Sequence, residues 1–109
     1  MGMVVSEVTV DELESALQSG APLIDVRETD EYQAGHVPGA VLVPLASVPS
    51  ALDFFSTDQR AYVICRSGAR SYRACEFLVD QGLDVVNVAG GTLAWVTSGR
   101  ATVAGDQPA

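Results

Sequence analysis

Cys65-Arg66-Ser67-Gly68-Ala69-Arg70-Ser71 is the stretch of this chain richest in chemistry. It follows the apolar run Ala61-Tyr62-Val63-Ile64, which ends as a buried strand ends, and leads into a helix-like segment from Ser71 to about Asp80. A cysteine at a strand end, followed by a short glycine-containing loop that opens a helix, is a place to hold a thiolate. A free thiol titrates at about 8.5, and a helix N-terminus or a neighbouring arginine lowers that value by one to several units. Here the amides of the turn can curl around one anionic sulfur, Arg66 and Arg70 flank it, and Gly68 lets the backbone bend and approach closely. Such a sulfur is a nucleophile, and preorganised amides can carry its charge without a side-chain base.

The remainder of the chain must position that loop. With 109 residues, 48% of them hydrophobic, residues 1–109 read as one domain with a core over about 4–100, able to form without metal or disulfide staples. Two cysteines ten positions apart make no secreted disulfide framework, so a reducing compartment is expected. The start, Met1-Gly2-Met3-Val4-Val5, lacks a basic leader region, and no apolar run reaches membrane-spanning length; the expected location is the cytoplasm, with no membrane partner. The net charge is −8, with fourteen acidic residues against six arginines and no lysine, which makes nucleic acid a poor partner. Arg66, Arg70 and Arg73 nevertheless fall within eight residues, and screening over about 8 Å makes such a local cluster count for more than the total. One histidine and a Cys-x9-Cys spacing do not resemble metal ligation, and no cofactor pattern is present.

In chain order, Ser6-Glu7-Val8 reads as a short extended entry, and Thr9 to Glu12 matches a capping box opening a helix that carries Val10, Leu13, Ala16 and Leu17. Pro22 to Val26 is a second strand, and Thr29-Asp30-Glu31-Tyr32 starts one or two further helical turns ending at Gly35. Val41-Leu42-Val43 is the third strand. Val48, Ala51, Leu52 and Phe55 keep helical spacing, which predicts a short helix with Pro49 in its first turn. Ala61 to Ile64 and Val85 to Val88 are the fourth and fifth strands, Thr92 to Thr97 is a last helix carrying Trp95, and residues 101–109 read as a frayed tail. Short apolar strands alternating with helices predict an α/β fold, a parallel sheet covered on both faces, with ligands outside the carboxyl ends of the strands.

Four motifs in register resemble the rhodanese family: Ile24-Asp25-Val26-Arg27-Glu28 with Glu31-Tyr32; Gly35-His36-Val37-Pro38-Gly39-Ala40; Cys65 to Ser71; and Val86-Asn87-Val88-Ala89-Gly90-Gly91 with Ala94-Trp95. The likeness runs from about Val4 to Arg100 and matches the single-domain bacterial form. It implies a rhodanese-like, five-stranded parallel sheet between helices, with sulfur transfer through a persulfide on Cys65. On that resemblance Cys65 is the catalytic nucleophile and Arg66, Ser67, Gly68, Ala69 and Arg70 bind substrate. Asp25, Arg27 and Ser71 support them, Asp25 and Arg27 as an ion pair behind the loop. The expected partners are a small anionic sulfur donor such as thiosulfate, a thiol or cyanide acceptor, and a sulfur-relay protein. Arg73 is a candidate by proximity alone. Cys75, beside Ala74 and Leu78 on the apolar side of its helix, is expected to pack, as is Trp95, and His36 to order its turn.

Three other readings compete, one of them a persulfide carrier fed by a desulfurase, which the sequence does not separate from a thiosulfate enzyme. Cysteine phosphatases and arsenate reductases resemble the same fold but place an arginine six positions after the nucleophile, where this chain has Ser71. A catalytically silent docking module would fit the fold as well, but such modules often lack the cysteine.

Overall fold

Four short apolar runs and the extended entry Ser6-Glu7-Val8 pair into a single sheet in the computed structural model of this protein, which describes residues 4–55 and 58–109. The strands are β1 (Ser6–Val8), β2 (Leu23–Asp25), β3 (Val41–Leu42), β4 (Ala61–Ile64) and β5 (Val85–Val88), all parallel, in the order β1-β5-β4-β2-β3. The helices are α1 (Val10–Gln18), α2 (Thr29–Ala34), α3 (Ala69–Asp80) and α4 (Gly91–Thr97). The expected start of the chain, Met1 to Met3, lies outside the described residues. No helix among the described residues is long and apolar enough to cross a membrane.

Side chains of a strand point alternately to opposite faces, so a sheet covered on both sides needs two cores. Ile24 and Val63 point into one, with Ala74, Cys75 and Leu78 of α3. Leu23 and Ile64, one residue out of step, point into the other, with Leu13 of α1, Tyr32 of α2 and Trp95 of α4. The chain leaves β2 towards β3 on one side, and β4 and β5 build on the other. Order therefore reverses between β2 and β4, and the crevice beyond their carboxyl ends is where this kind of sheet accepts a ligand. Arg27 follows the first of those ends and Cys65 the second.

The expected capping box on α1 is present: Thr9 Oγ1 accepts from Glu12 N–H at 3.2 Å, and Glu12 accepts from Thr9 N–H at 2.9 Å. The α2 start differs by one residue, with Glu28 as the cap and its N–H bonded to Glu31 Oε1 at 3.0 Å. The short helix expected over Ser47–Phe55 is instead two 3-10 turns, Leu45–Ser50 and Leu52–Phe54. Pro49 lies inside the first of them, where it has no N–H for an α-helical ladder, and the tighter turn accommodates it. The helix after the cysteine loop begins at Ala69 rather than Ser71, so Ala69 and Arg70 belong to its first turn.

Residues 101–109 depart most from expectation. Instead of fraying they run back over the turn after α2: Val103 and His36 exchange backbone hydrogen bonds of 2.9 Å, Gly39 N–H donates to Pro108 O at 2.8 Å, and Gln33 contacts Asp106. The reason is His36, fully buried and stacked 3.6 Å from the Tyr32 ring. Its Nδ1 faces Tyr32 O at 2.8 Å and its Nε2 faces Gln107 O at 2.8 Å, so the tail supplies the polar partner that the burial demands. The buried ring orders its turn as expected. Removing residues 103–109 should lower stability by about 1 kcal/mol, roughly 4–8 °C in Tm, in a thermal unfolding measurement; an unchanged Tm would show that the segment contributes nothing.

Candidate active site

The site begins where β4 ends. Cys65 is 1% exposed at the carboxyl edge of the sheet, and the backbone then turns sharply through Gly68, whose φ of +105° is left-handed. That turn points Gly68 N–H at Cys65 Sγ, 3.1 Å away. One helical turn later Ser71, fully buried, sets its Oγ 3.3 Å from Sγ and 3.3 Å from Gly68 O. A hydroxyl has one proton to give, and a thiolate is the stronger acceptor.

Burial pushes the Cys65 thiol up, but the Ser71 hydroxyl and the N–H groups of Ser71, Gly68 and Ser67 outweigh it, leaving the thiol below its ordinary value. Hydrogen bonds from a helix start thus hold the charge, and Arg70 feels it at longer range. Among the described residues Cys75 has no such donors. Burial above all, then the charges of Glu7 and Cys65, push its thiol up to about 12, which leaves it a protonated packing residue at neutral pH.

Two further elements fix the loop. The start of α4 abuts it so closely that a Cβ on Gly91 would lie 2.5 Å from Arg66 O and 2.6 Å from Cys65 O. Thr92 donates to Cys65 O through its N–H at 2.8 Å and its hydroxyl at 3.0 Å, and Leu93 N–H donates to Arg66 O at 3.0 Å. From β5, buried Asn87 donates through Nδ2 to Gly68 O at 3.2 Å and to Glu7 at 2.8 Å. The glycine turn is therefore held from below and from the side.

The arginines are not equivalent. Asp25 is fully buried and Arg27 5% exposed; their side chains meet at 2.8–3.0 Å, and Arg27 also donates to Gly35 O at 2.9 Å, tying the end of β2 to the turn after α2. This is the ion pair expected from the sequence. Arg70 is clamped by Glu31 in two parallel contacts of 2.7 and 2.8 Å. The Arg70 guanidinium holds the Glu31 carboxyl down at about 2, and Glu31 in turn raises Arg70. Arg73 points elsewhere, into a separate cleft with Leu45, Val48, Pro49, Ala74 and Phe77. Arg66 is exposed and has no ion-pair partner among the described residues. A cleft of about 230 Å³ opens beside the loop, lined by Arg27, Glu31, Arg66, Thr92, Leu93 and Val96. Ser67 and Ala69 are exposed on the loop and the first turn of α3.

Sequence reasoning assigned no role in the site to Glu31, Thr92 or Asn87, although each falls within or beside a quoted motif. Their functions depend on which element lies across from them, which spacing along the chain does not reveal. No cluster of metal-ligating residues is present among the described residues.

Residues 9–98 match the rhodanese-like domain family. The chain belongs to the rhodanese family. A sulfurtransferase of Allochromatium vinosum is 39% identical over 83 residues, spanning 75% of this chain and 78% of that protein. The crystal structure of a rhodanese-like domain protein from Staphylococcus aureus superposes with a TM-score of 0.79 at 35% identity, covering 84% of this chain and 91% of that one. A thiosulfate sulfurtransferase from Pseudomonas aeruginosa, at 26% identity, has a TM-score of 0.84 over 93% of this chain but only 20% of its own. The five-stranded parallel sheet with helices on both faces is thus the rhodanese-like architecture, and relatives of this rhodanese domain carry the name sulfurtransferase.

Ser71→Ala removes one hydrogen bond to the charged sulfur and should raise the Cys65 titration. The rate of alkylation by iodoacetamide at neutral pH, followed by intact mass, is expected to fall about fivefold to tenfold. A rate equal to the native one would show that the hydroxyl does not hold the thiolate.

Proposed function

We propose that this rhodanese domain is a sulfurtransferase that carries a sulfane sulfur on Cys65. The observation that supports it best is the cradle around Sγ, with Gly68 N–H at 3.1 Å and the Ser71 hydroxyl at 3.3 Å in a site where the thiol is only 1% exposed. Donors arranged for one enclosed sulfur suit a thiolate and, with modest adjustment, the terminal anion of a persulfide.

The reaction is a double displacement. Cys65 thiolate attacks the outer sulfur of thiosulfate or of a persulfide; a bond forms from Sγ to that sulfur, and the donor's sulfur–sulfur bond breaks, releasing sulfite or a thiolate. An acceptor, cyanide or a thiol, then attacks the same sulfur and returns Cys65 to the thiolate. No external oxidant or reductant enters, because the sulfane sulfur moves with its oxidation state. Ser67, Gly68 and Ser71 receive the charge through their N–H groups, Ala69 continues the first turn of α3, and Arg66 meets an anionic donor at the mouth. Arg70 contributes as one half of an ion pair. Asp25 and Arg27 keep the neighbouring turn in place. A relay protein presenting a cysteine would serve as donor or acceptor at the same mouth.

The phosphatase alternative is disfavoured by what stands six residues after the cysteine. Ser71 is there, with its hydroxyl turned on the sulfur itself, so the position offers no arginine to a tetrahedral oxyanion. The silent docking module is disfavoured by the presence of the cysteine itself, with Gly68 N–H and the Ser71 hydroxyl directed at its sulfur.

Intact mass after incubation with an excess of sulfur donor tests the proposal. Native protein should gain one sulfur, removable by cyanide, and Cys65→Ser should gain none. Cys75→Ala should load as the native chain does. No gain on the folded native protein with either thiosulfate or an organic persulfide would overturn the sulfurtransferase reading.

A further inference from the structure

The charges at the mouth are poorly suited to a dianion. Three cations surround the cysteine loop, and two are already neutralised. Arg27 lies against both oxygens of Asp25, and Arg70 is clamped by both oxygens of Glu31. With its carboxyl held at about 2, Glu31 stays charged throughout the neutral range, and Glu28 adds a further negative field at Arg70. Among the described residues, that leaves Arg66 as the one unpaired cation at the cleft. Thiosulfate attacked by a thiolate gathers three negative charges there. A persulfide reacting in its protonated form, R–S–S–H, gathers one.

The second feature is an apolar shelf. Leu93 and Val96, neighbours one turn apart on α4, are 50% and 53% exposed and line the same cleft. Leu93 N–H is itself bonded to Arg66 O, so the shelf stands beside the loop. Thiosulfate has no carbon to place on it. Cys65, at 1% exposure, can be met only by the terminal atom of a donor, which leaves the donor's body in the cleft of about 230 Å³.

We propose that the donor matched to this site is an organic persulfide whose carbon body rests on Leu93 and Val96, and that Glu31, by neutralising Arg70, is the residue that disfavours thiosulfate. The inference rests on the Cys65 persulfide reading and names its substrate class. In the step, Cys65 thiolate bonds to the terminal sulfur of R–S–S–H and the donor's S–S bond breaks. R–S⁻ leaves beside Arg66 and takes the proton from the new Cys65–S–S–H, giving R–SH and a persulfide anion in the amide cradle. Atoms and charge balance with no further reactant. R belongs to a small thiol or to a protein cysteine; both present the same R–S–S–H.

The test is the rate of sulfur loading on Cys65, read by intact mass as a function of donor concentration, with thiosulfate and with cysteine persulfide. Glu31→Gln keeps an oxygen for Glu28 N–H, so the start of α2 remains capped while the charge is removed. The native protein should half-saturate at a lower concentration of cysteine persulfide than of thiosulfate. Glu31→Gln should move the ratio of thiosulfate to persulfide kcat/KM up by about tenfold, chiefly through faster thiosulfate loading. Leu93→Ser should move it the same way through slower persulfide loading. A cysteine persulfide carried on a protein, used as a third donor, separates the two sources of R: faster loading than with free cysteine persulfide assigns a polypeptide body, slower loading a small one. Loading from both donors with a ratio unchanged within twofold in folded Glu31→Gln, or tighter saturation by thiosulfate in the native protein, would overturn this inference alone. No loading from any donor would overturn the sulfurtransferase reading and the inference together.

Discussion

A cysteine sulfur held below its ordinary titration while enclosed to 1% exposure, in a chain of net charge −8, is the constraint to which the rest of this structure answers. Desolvation opposes the charge, and the protein's overall field opposes it too. What offsets both is short-range: N–H groups at the start of α3 and the Ser71 hydroxyl, with Gly68 N–H and Ser71 Oγ within 3.3 Å of Sγ. Short hydrogen bonds inside the protein are little screened, so they outlast the unfavourable field from a distant acidic surface.

That solution dictates the neighbours. A left-handed turn at Gly68 needs its carbonyl held, and Asn87 of β5 holds it from beneath the loop. The cysteine's own carbonyl needs donors at the edge of the sheet, and the start of α4 supplies them through Thr92. Gly91 permits that approach, because any side chain there would run into Cys65 O and Arg66 O. Since the backbone carries the charge, the arginines are released for other work. Arg27 ties down a turn, Arg70 joins α3 to α2 through Glu31, and Arg66 alone lines the cleft without a counter-ion among the described residues.

Local signals in the sequence were faithful where the chemistry is local. Strands β2 to β5 fell on short apolar runs bounded by turns and β1 on the extended entry Ser6-Glu7-Val8, the Thr9–Glu12 box was readable from four residues, and the cysteine at the end of β4 announced the loop. Of the three clustered arginines, Arg73 does not join the site, because neighbouring positions on a helix do not fix where two long side chains end. Arg70 and Arg73 leave α3 in different directions, one to Glu31 thirty-nine positions away and the other to a separate cleft. Pro49 turned a helical spacing into 3-10 turns, since spacing reports the buried side but not the missing N–H. The tail was illegible for a similar reason. Small polar residues look frayed until a buried histidine far away along the chain requires their carbonyls.

The central claim is that backbone amides and one hydroxyl, rather than arginines, set the reactivity of Cys65. It is tested most directly by the pH profile of Cys65 alkylation in native protein, in Ser71→Ala and in a chain carrying both Arg66→Met and Arg70→Met. The native midpoint is expected below that of an ordinary cysteine, with a larger upward displacement in Ser71→Ala than in the double arginine variant. A larger displacement in the arginine variant, or a native midpoint at or above the ordinary value, would contradict it.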